Sequence, residues 1–129
     1  MTNTLVRIPV SIGELVDKMT ILRIKSDRIA DPAKLANVAE ELRQLGETRT
    51  TLGPLPAADE IEGDLEAINL RLWDVEDRLR EMETRQDFGA EFVEAARSVY
   101  KLNDERARLK YEINRRCGSH IVEEKSYAR

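Results

Sequence analysis

The feature that most constrains this chain is the apolar run from Ile61 to Met82. Ile61, Leu65, Ile68, Leu72, Val75, Leu79 and Met82 follow one another in alternating steps of four and three. Such steps fall on one stripe only in an α-helix, and their rhythm is that of helices packed side by side along their lengths. This segment, a helix from about Asp59 to Thr84, therefore requires partner helices.

The nearest partner is the stretch from Phe88 to Cys117. The spacing predicts a helix there, with Arg85-Gln86-Asp87 as the turn, Asp87 as N-cap, and Gly118 as the residue that ends it. Its thirty residues would span roughly 45 Å at helical rise, so its two ends should meet different elements. Charge favours an antiparallel pair. Nine acids and three arginines lie between Glu60 and Thr84, whereas seven bases and three acids lie between Arg97 and Arg116, and opposite fields on neighbouring helices attract.

Upstream, Ser11-Ile-Gly-Glu14 reads as a capping box that opens a first helix. Asp31-Pro32 ends that helix and starts a second, with Asp31 as N-cap and Pro32 at the first helical position. Gly53-Pro-Leu-Pro56 breaks the second helix from the third. Residues Leu5 to Val10 alternate as a short strand, with Pro9 restricting it to an edge. The only other apolar pair outside a helix is Ile121-Val122, so a two-stranded pairing of the chain ends is expected. The fold expected is all-α: an antiparallel bundle of about four helices in two hairpins. As one domain, residues 1–129 divide into a strand-like lead-in (1–10), a first hairpin (11–52), a loop (53–58), a second hairpin (59–117) and a tail (118–129).

Composition narrows the functional classes. Aromatics are 5% of residues against 36% charged, which fits a thin core of Leu, Ile, Val and Ala between long helices. A net charge of -4 opposes binding to phosphate backbones, and nucleic acid is not expected as a partner. No apolar run approaches the length of a membrane span, and the N-terminus has no apolar leader segment, so a cytoplasmic protein without membrane insertion is expected. Cys117 is the only cysteine, in keeping with a reducing compartment.

Two constellations stand out. Folding the second hairpin about residue 87 sets Asp77 opposite Arg97 and Trp73 opposite Tyr100 and Lys101, which predicts an Asp77–Arg97 ion pair and a Trp73 stack on Tyr100 or the arginine. The pair reads either as a device that fixes register or as a ligand anchor. In the second, Asn103, Arg106, Lys110 and Asn114 follow at steps of three, four and four and interrupt an apolar stripe. One reading puts the seam on Ala95, Val99, Leu102, Arg106, Leu109 and Ile113, with Arg106 snorkelling. The other makes Arg106 and Lys110 an anion site, oriented by Asn103 and closed by Glu124-Lys125-Ser126-Tyr127.

Catalytic alternatives find less support. Asp74/Asp77 and Glu91/Glu94 have the spacing of the acidic pairs in all-helical nucleotide pyrophosphatases, but the hairpin sets the pairs about 8 Å apart along the axis at helical rise. Glu14 to Arg28 has a superficial likeness to the first helix of the chorismate-mutase family, with Arg23, Arg28, Lys34 and Arg106 as dicarboxylate ligands, yet that family's full set cannot be laid onto the chain. Cys117 and His120 supply two ligands where tetrahedral zinc needs four. No cofactor and no metal are expected, and no catalytic residue is assigned.

The chain resembles a family of small bacterial proteins classed as a domain of unknown function. The likeness rests on Ser11-Ile-Gly-Glu-Leu-Val-Asp-Lys18 with Thr20-Ile-Leu22, Leu72-Trp73 with Glu76-Asp77, Ala96-Arg-Ser-Val-Tyr100 with Asn103-Asp104, and Gly118-Ser119 leading to Glu123-Glu-Lys-Ser-Tyr127. It implies an accessory role near surface-polysaccharide and glycosyltransferase systems and assigns no catalytic residue. The sequence thus points to a helical interaction module that self-associates or docks a protein partner. The alternative is a binder of, or enzyme on, a small anion, using Arg97, Tyr100, Asn103, Arg106, Lys110, Lys125 and Tyr127.

Overall fold

The structure, a computed structural model, describes residues 4–126. Four helices follow in order: α1 (Ile12–Arg28), α2 (Pro32–Thr51), α3 (Pro56–Thr84) and α4 (Ala90–Cys117). Local chemistry sets most of the ends. Ser11 Oγ accepts from the Glu14 amide at 3.0 Å and Asp31 Oδ2 from the Lys34 amide at 3.1 Å, each satisfying a donor that the first turn leaves open. Gly118 takes the left-handed conformation (φ 67°) that ends α4.

Two boundaries differ from expectation. α3 begins at Pro56, because a proline at the first helical position loses no bond and Ala58 is wholly buried. α4 begins at Ala90 behind Gly89, and Asp87 turns its carboxylate onto the Gly89 amide at 3.3 Å instead of capping the helix.

The bundle is antiparallel and built from two hairpins. α3 and α4 pair along their lengths, and α1 lies in contact with both. Val16 of α1, Ala58, Ile61 and Leu65 of α3, and Leu109 and Ile113 of α4 form one buried cluster, with Ile12, Leu55, Ile68 and Cys117 packed on it. α2 packs on α1 through Val38 and its half-buried leucines. It reaches α3 through Arg49, which meets Asp59 and Glu62 at 2.7 and 2.6 Å.

Charge is distributed differently from the simple α3–α4 attraction. Arg78–Glu91 and Arg116–Glu60 bridge α3 and α4. Other α3 acids face the first hairpin, where Arg23 meets Glu62 and Glu66 and Arg28 meets Asp74.

The expected two-stranded pairing does not form: there is no strand among the described residues. Leu5, Val6 and Ile8 are 56%, 76% and 71% exposed. The chain ends approach at the start of α1 instead, where open amides draw in the tail. Ser119 Oγ accepts from the Ile12 amide at 3.0 Å and donates to the Ile121 carbonyl at 2.6 Å.

α3 has 29 residues against 17 in α1, a difference of roughly 18 Å at helical rise. Arg28 ends α1 and reaches Asp74, so the distal part of the second hairpin extends past it. There Met82 and Ala95 are buried, Val75, Leu79, Phe92 and Val99 are half-buried, and Phe88, Val93 and Tyr100 are exposed.

Candidate functional site

The centre of the molecule is a polar cluster set inside the three-helix core. Asp17 of α1 is fully buried. Its carboxylate accepts from Arg106 Nε at 3.0 Å and from Arg106 Nη2 at 2.5 Å, a two-point grip from α4. From α3, Asn69 Nδ2 donates to Asp17 Oδ1 and to Thr20 Oγ1, both at 2.8 Å, and Thr20 Oγ1 donates to the Asp17 carbonyl at 2.7 Å. Three helices are thus tied at one level by charge-assisted bonds in a low-dielectric interior, where such bonds are strong and an unpaired partner is costly.

One turn further along α4, Lys110 Nζ meets Glu14 at 2.6 Å, Glu123 of the tail at 3.3 Å and Asp17 at 3.9 Å. Asn114 Oδ1 then accepts from the Gly13 amide at 2.6 Å. Gly13 is required by this approach: a Cβ there would lie 2.5 Å from the Lys110 carbonyl oxygen and 2.9 Å from Asn114 Oδ1. Ser11 Oγ donates to Glu123 at 3.4 Å. Glu14 therefore spends its carboxylate on Lys110, and only the Ser11 half of the capping box is made.

Both cations are held charged. The hydrogen bond to Asp17 raises the Arg106 pKa; burial opposes this, and the charges of Asp17, Glu14 and Glu123 add to the rise. Burial works against the Lys110 charge, but the bond to Glu14 and the fields of Glu14, Asp17 and Glu123 outweigh it, so its pKa is raised. Among the described residues no buried side-chain polar atom lacks a partner.

Arg106 stands between two concavities. One, about 120 Å³, is lined by Arg106, Lys110, Tyr111 and Asn114 with Glu123, Glu124 and Lys125. The other, about 330 Å³, opens between α1 and the second hairpin over Ile21, Ile24, Leu72 and Trp73.

The residues expected to form an anion site are thus partly gathered. Arg106 and Lys110 share one wall with Lys125, and Asn103 Oδ1 lies 3.5 Å from Arg106 Nη1. Arg97 and Tyr100 are exposed on the distal hairpin and line neither concavity. Tyr127 lies outside the described residues. The expected Asp77–Arg97 pair is not made: both side chains are exposed, and no ion pair joins them. Nor does Trp73 stack on Tyr100, since the aromatic pair among the described residues is Phe88 edge-on to Phe92 at 5.2 Å. Arg23, Arg28 and Arg106 are each held by different acids. Among the described residues no three His, Cys, Asp or Glu are grouped to hold a metal ion.

Asp17, Thr20, Asn69, Ser119 and Glu123 escaped the reading of single stripes. For Asp17, Thr20 and Asn69 the signal is a shared rhythm. Gly13, Asp17, Thr20 and Ile24 follow in steps of four, three and four, as do Leu102, Arg106, Leu109 and Ile113, and Asn69 lies four after Leu65 and three before Leu72.

A family model described as a family of unknown function (DUF6165) matches residues 6–129. The chain belongs to this family. The DUF6165 match takes in all four helices and the tail segment that meets Lys110. No curated protein and no solved structure gives a significant match to the chain. Among the described residues, no helix of this DUF6165 member is long and apolar enough to cross a membrane.

Proposed function

We propose that the protein is a self-associating helical interaction module whose docking surface is the distal part of the α3–α4 hairpin. The observation that carries this reading is the composition of that surface. Half-buried Val75, Leu79, Phe92 and Val99 lie beside exposed Val93 and Tyr100. Among the described residues, Glu76, Asp77 and Glu83 on α3, and Arg97 and Lys101 on α4, meet no ion-pair partner. An apolar stripe flanked by Glu76, Asp77 and Glu83 on one helix and by Arg97 and Lys101 on the other, with Arg80 and Glu94 as the exceptions of opposite sign, can complement itself: in a two-fold dimer, α3 of each copy faces α4 of the other. Asp77 and Arg97, unpaired within the hairpin, then become partners between copies.

The central polar cluster supports this division of labour. Its cations are met by Asp17, Glu14 and Glu123, so it holds the three-helix base together and leaves association to the distal surface. The likeness seen in the sequence adds a setting, surface-polysaccharide or glycosyltransferase systems, in which such a module would be an accessory. Size-exclusion chromatography with light scattering tests the reading. A mass of roughly twice 14.8 kDa supports it, and a monomer at high concentration overturns it.

A further inference from the structure

The concavity of about 330 Å³ between α1 and the second hairpin is not explained by the dimer reading. Its size falls at the lower end of the range for small-molecule sites, which combine an apolar floor with a few fixed polar groups. The floor here is Ile21, Ile24, Leu72 and the half-buried indole of Trp73. Glu76, Asp77 and Arg80 lie at the outer end, on the distal surface. The inner end is about 10 Å from Glu76 along α3 at helical rise, at the level where Asn69 and Arg106 meet on Asp17.

The inner end holds an acceptor in a fixed orientation. Asn69 is 5% exposed, and its Nδ2 donates to Asp17 Oδ1 and to Thr20 Oγ1. The carboxylate can only accept, and the Thr20 hydroxyl has its own hydrogen on the Asp17 carbonyl, so both partners require the amide's NH2 end. Oδ1 is left without a hydrogen bond among the described residues. Because no fully buried side-chain oxygen there lacks a partner, Oδ1 is reached from the groove that Asn69 lines. Beside it, Arg106 turns Nε and Nη2 inward to Asp17, while Nη1 makes only a 3.5 Å contact to Asn103, too long to satisfy a donor well. The Arg106 charge is already matched by Asp17, whose side chain is 1% exposed.

We infer that this inner groove binds a neutral planar ring carrying both an N–H and a C=O, the lactam class. The ring N–H is received by Asn69 Oδ1, the carbonyl by Arg106 Nη1, and the flat faces by Trp73 and the isoleucines. A carboxylate or phosphate would have to draw Arg106 away from Asp17 and leave a buried carboxylate unpaired. An ammonium would lie beside the guanidinium. A hydrocarbon of the same shape would cover the Asn69 acceptor without bonding it. A neutral ligand that both donates and accepts meets none of these penalties.

Trp73 is the only tryptophan in the chain, so its emission, excited at the red edge of its band where uracil does not absorb, reports occupancy of the groove in the full-length protein. Uracil is titrated at millimolar concentration, alongside 1,3-dimethyluracil, benzoate and benzylamine. Expected is a saturable change with uracil, with affinity falling roughly tenfold for the dimethyl compound, which keeps the carbonyls and loses both donors. Benzoate and benzylamine should bind more weakly than uracil. Ile21→Phe fills the floor without touching a polar partner; it should melt as the native protein does and lose the response. No saturable response to uracil overturns the inference, as does an equal response to 1,3-dimethyluracil, a preference for benzoate or benzylamine, or an unchanged response in a folded Ile21→Phe. Light scattering on the same samples follows association separately, so failure of either reading leaves the other standing.

Discussion

Arg106 of α4 grips the buried carboxylate of Asp17 of α1 at two points, 3.0 and 2.5 Å. The two residues are 89 positions apart, and their contact fixes how the first hairpin sits on the second. Removing Arg106 leaves Asp17, whose side chain is 1% exposed, with Asn69 as its closest remaining donor. Arg106→Met is therefore expected to cost ~3–5 kcal/mol, and the Asp17→Leu/Arg106→Met double variant to recover much of that loss. Urea denaturation of both variants checks this; equal destabilisation in the single and double variants would show that the pair is not acting as a unit.

The close approach of α1 to α4 makes a prediction of opposite sign at different glycines. Gly13→Ala forces a methyl group to within 2.5 Å of the Lys110 carbonyl oxygen and should destabilise by ~1–3 kcal/mol. Gly46 and Gly63 are also helical but have nothing within 4 Å. Alanine at either should stabilise by ~1 kcal/mol, through helix propensity alone. Thermal melts of the three variants separate packing from propensity.

Lys110 sets the alkaline limit. Its pKa in the folded protein lies above the ordinary 10.5, so the folded state holds the proton more tightly than the unfolded chain. The resulting stabilisation is fully present below the unfolded value and is lost as pH rises through the raised folded value. Melting temperatures measured across the alkaline range should fall there in the native protein. The decline should be shallower in Lys110→Met, which starts from a lower stability because Glu14 and Glu123 lose their partner. Parallel declines in the two proteins would assign the effect to other groups.

Much of the helical framework could be read from the sequence, because it depends on local signals. Ser11, Asp31-Pro32 and Gly118 act within one turn, and the Ile61–Met82 stripe repeats often enough to specify one face. The site was legible only in part. Arg106 was visible as a base in an apolar seam, but its partner lies on another helix, and stripe analysis of one helix carries no information on which level of a second it meets. Register arithmetic within the α3–α4 hairpin likewise placed Asp77 and Arg97 at matching heights without fixing the side of the helix each occupies. The strand expected at Leu5–Val10 failed for a related reason: alternation shows that a segment can pair without naming its partner, and the tail is held instead at the Ile12 amide by Ser119.

The docking surface is tested most directly by mixing charge-reversed chains. Arg97→Glu/Lys101→Glu turns the α4 side acidic, so that it repels the native α3 side of a second copy. Glu76→Lys/Asp77→Lys turns the α3 side basic, so that it repels native α4. Each variant alone should run as a monomer in light scattering, while the equimolar mixture should form a heterodimer of roughly twice 14.8 kDa, because both of its contacts are again between opposite charges. Variants that remain dimeric alone, or a mixture that stays monomeric, would contradict association through the distal hairpin.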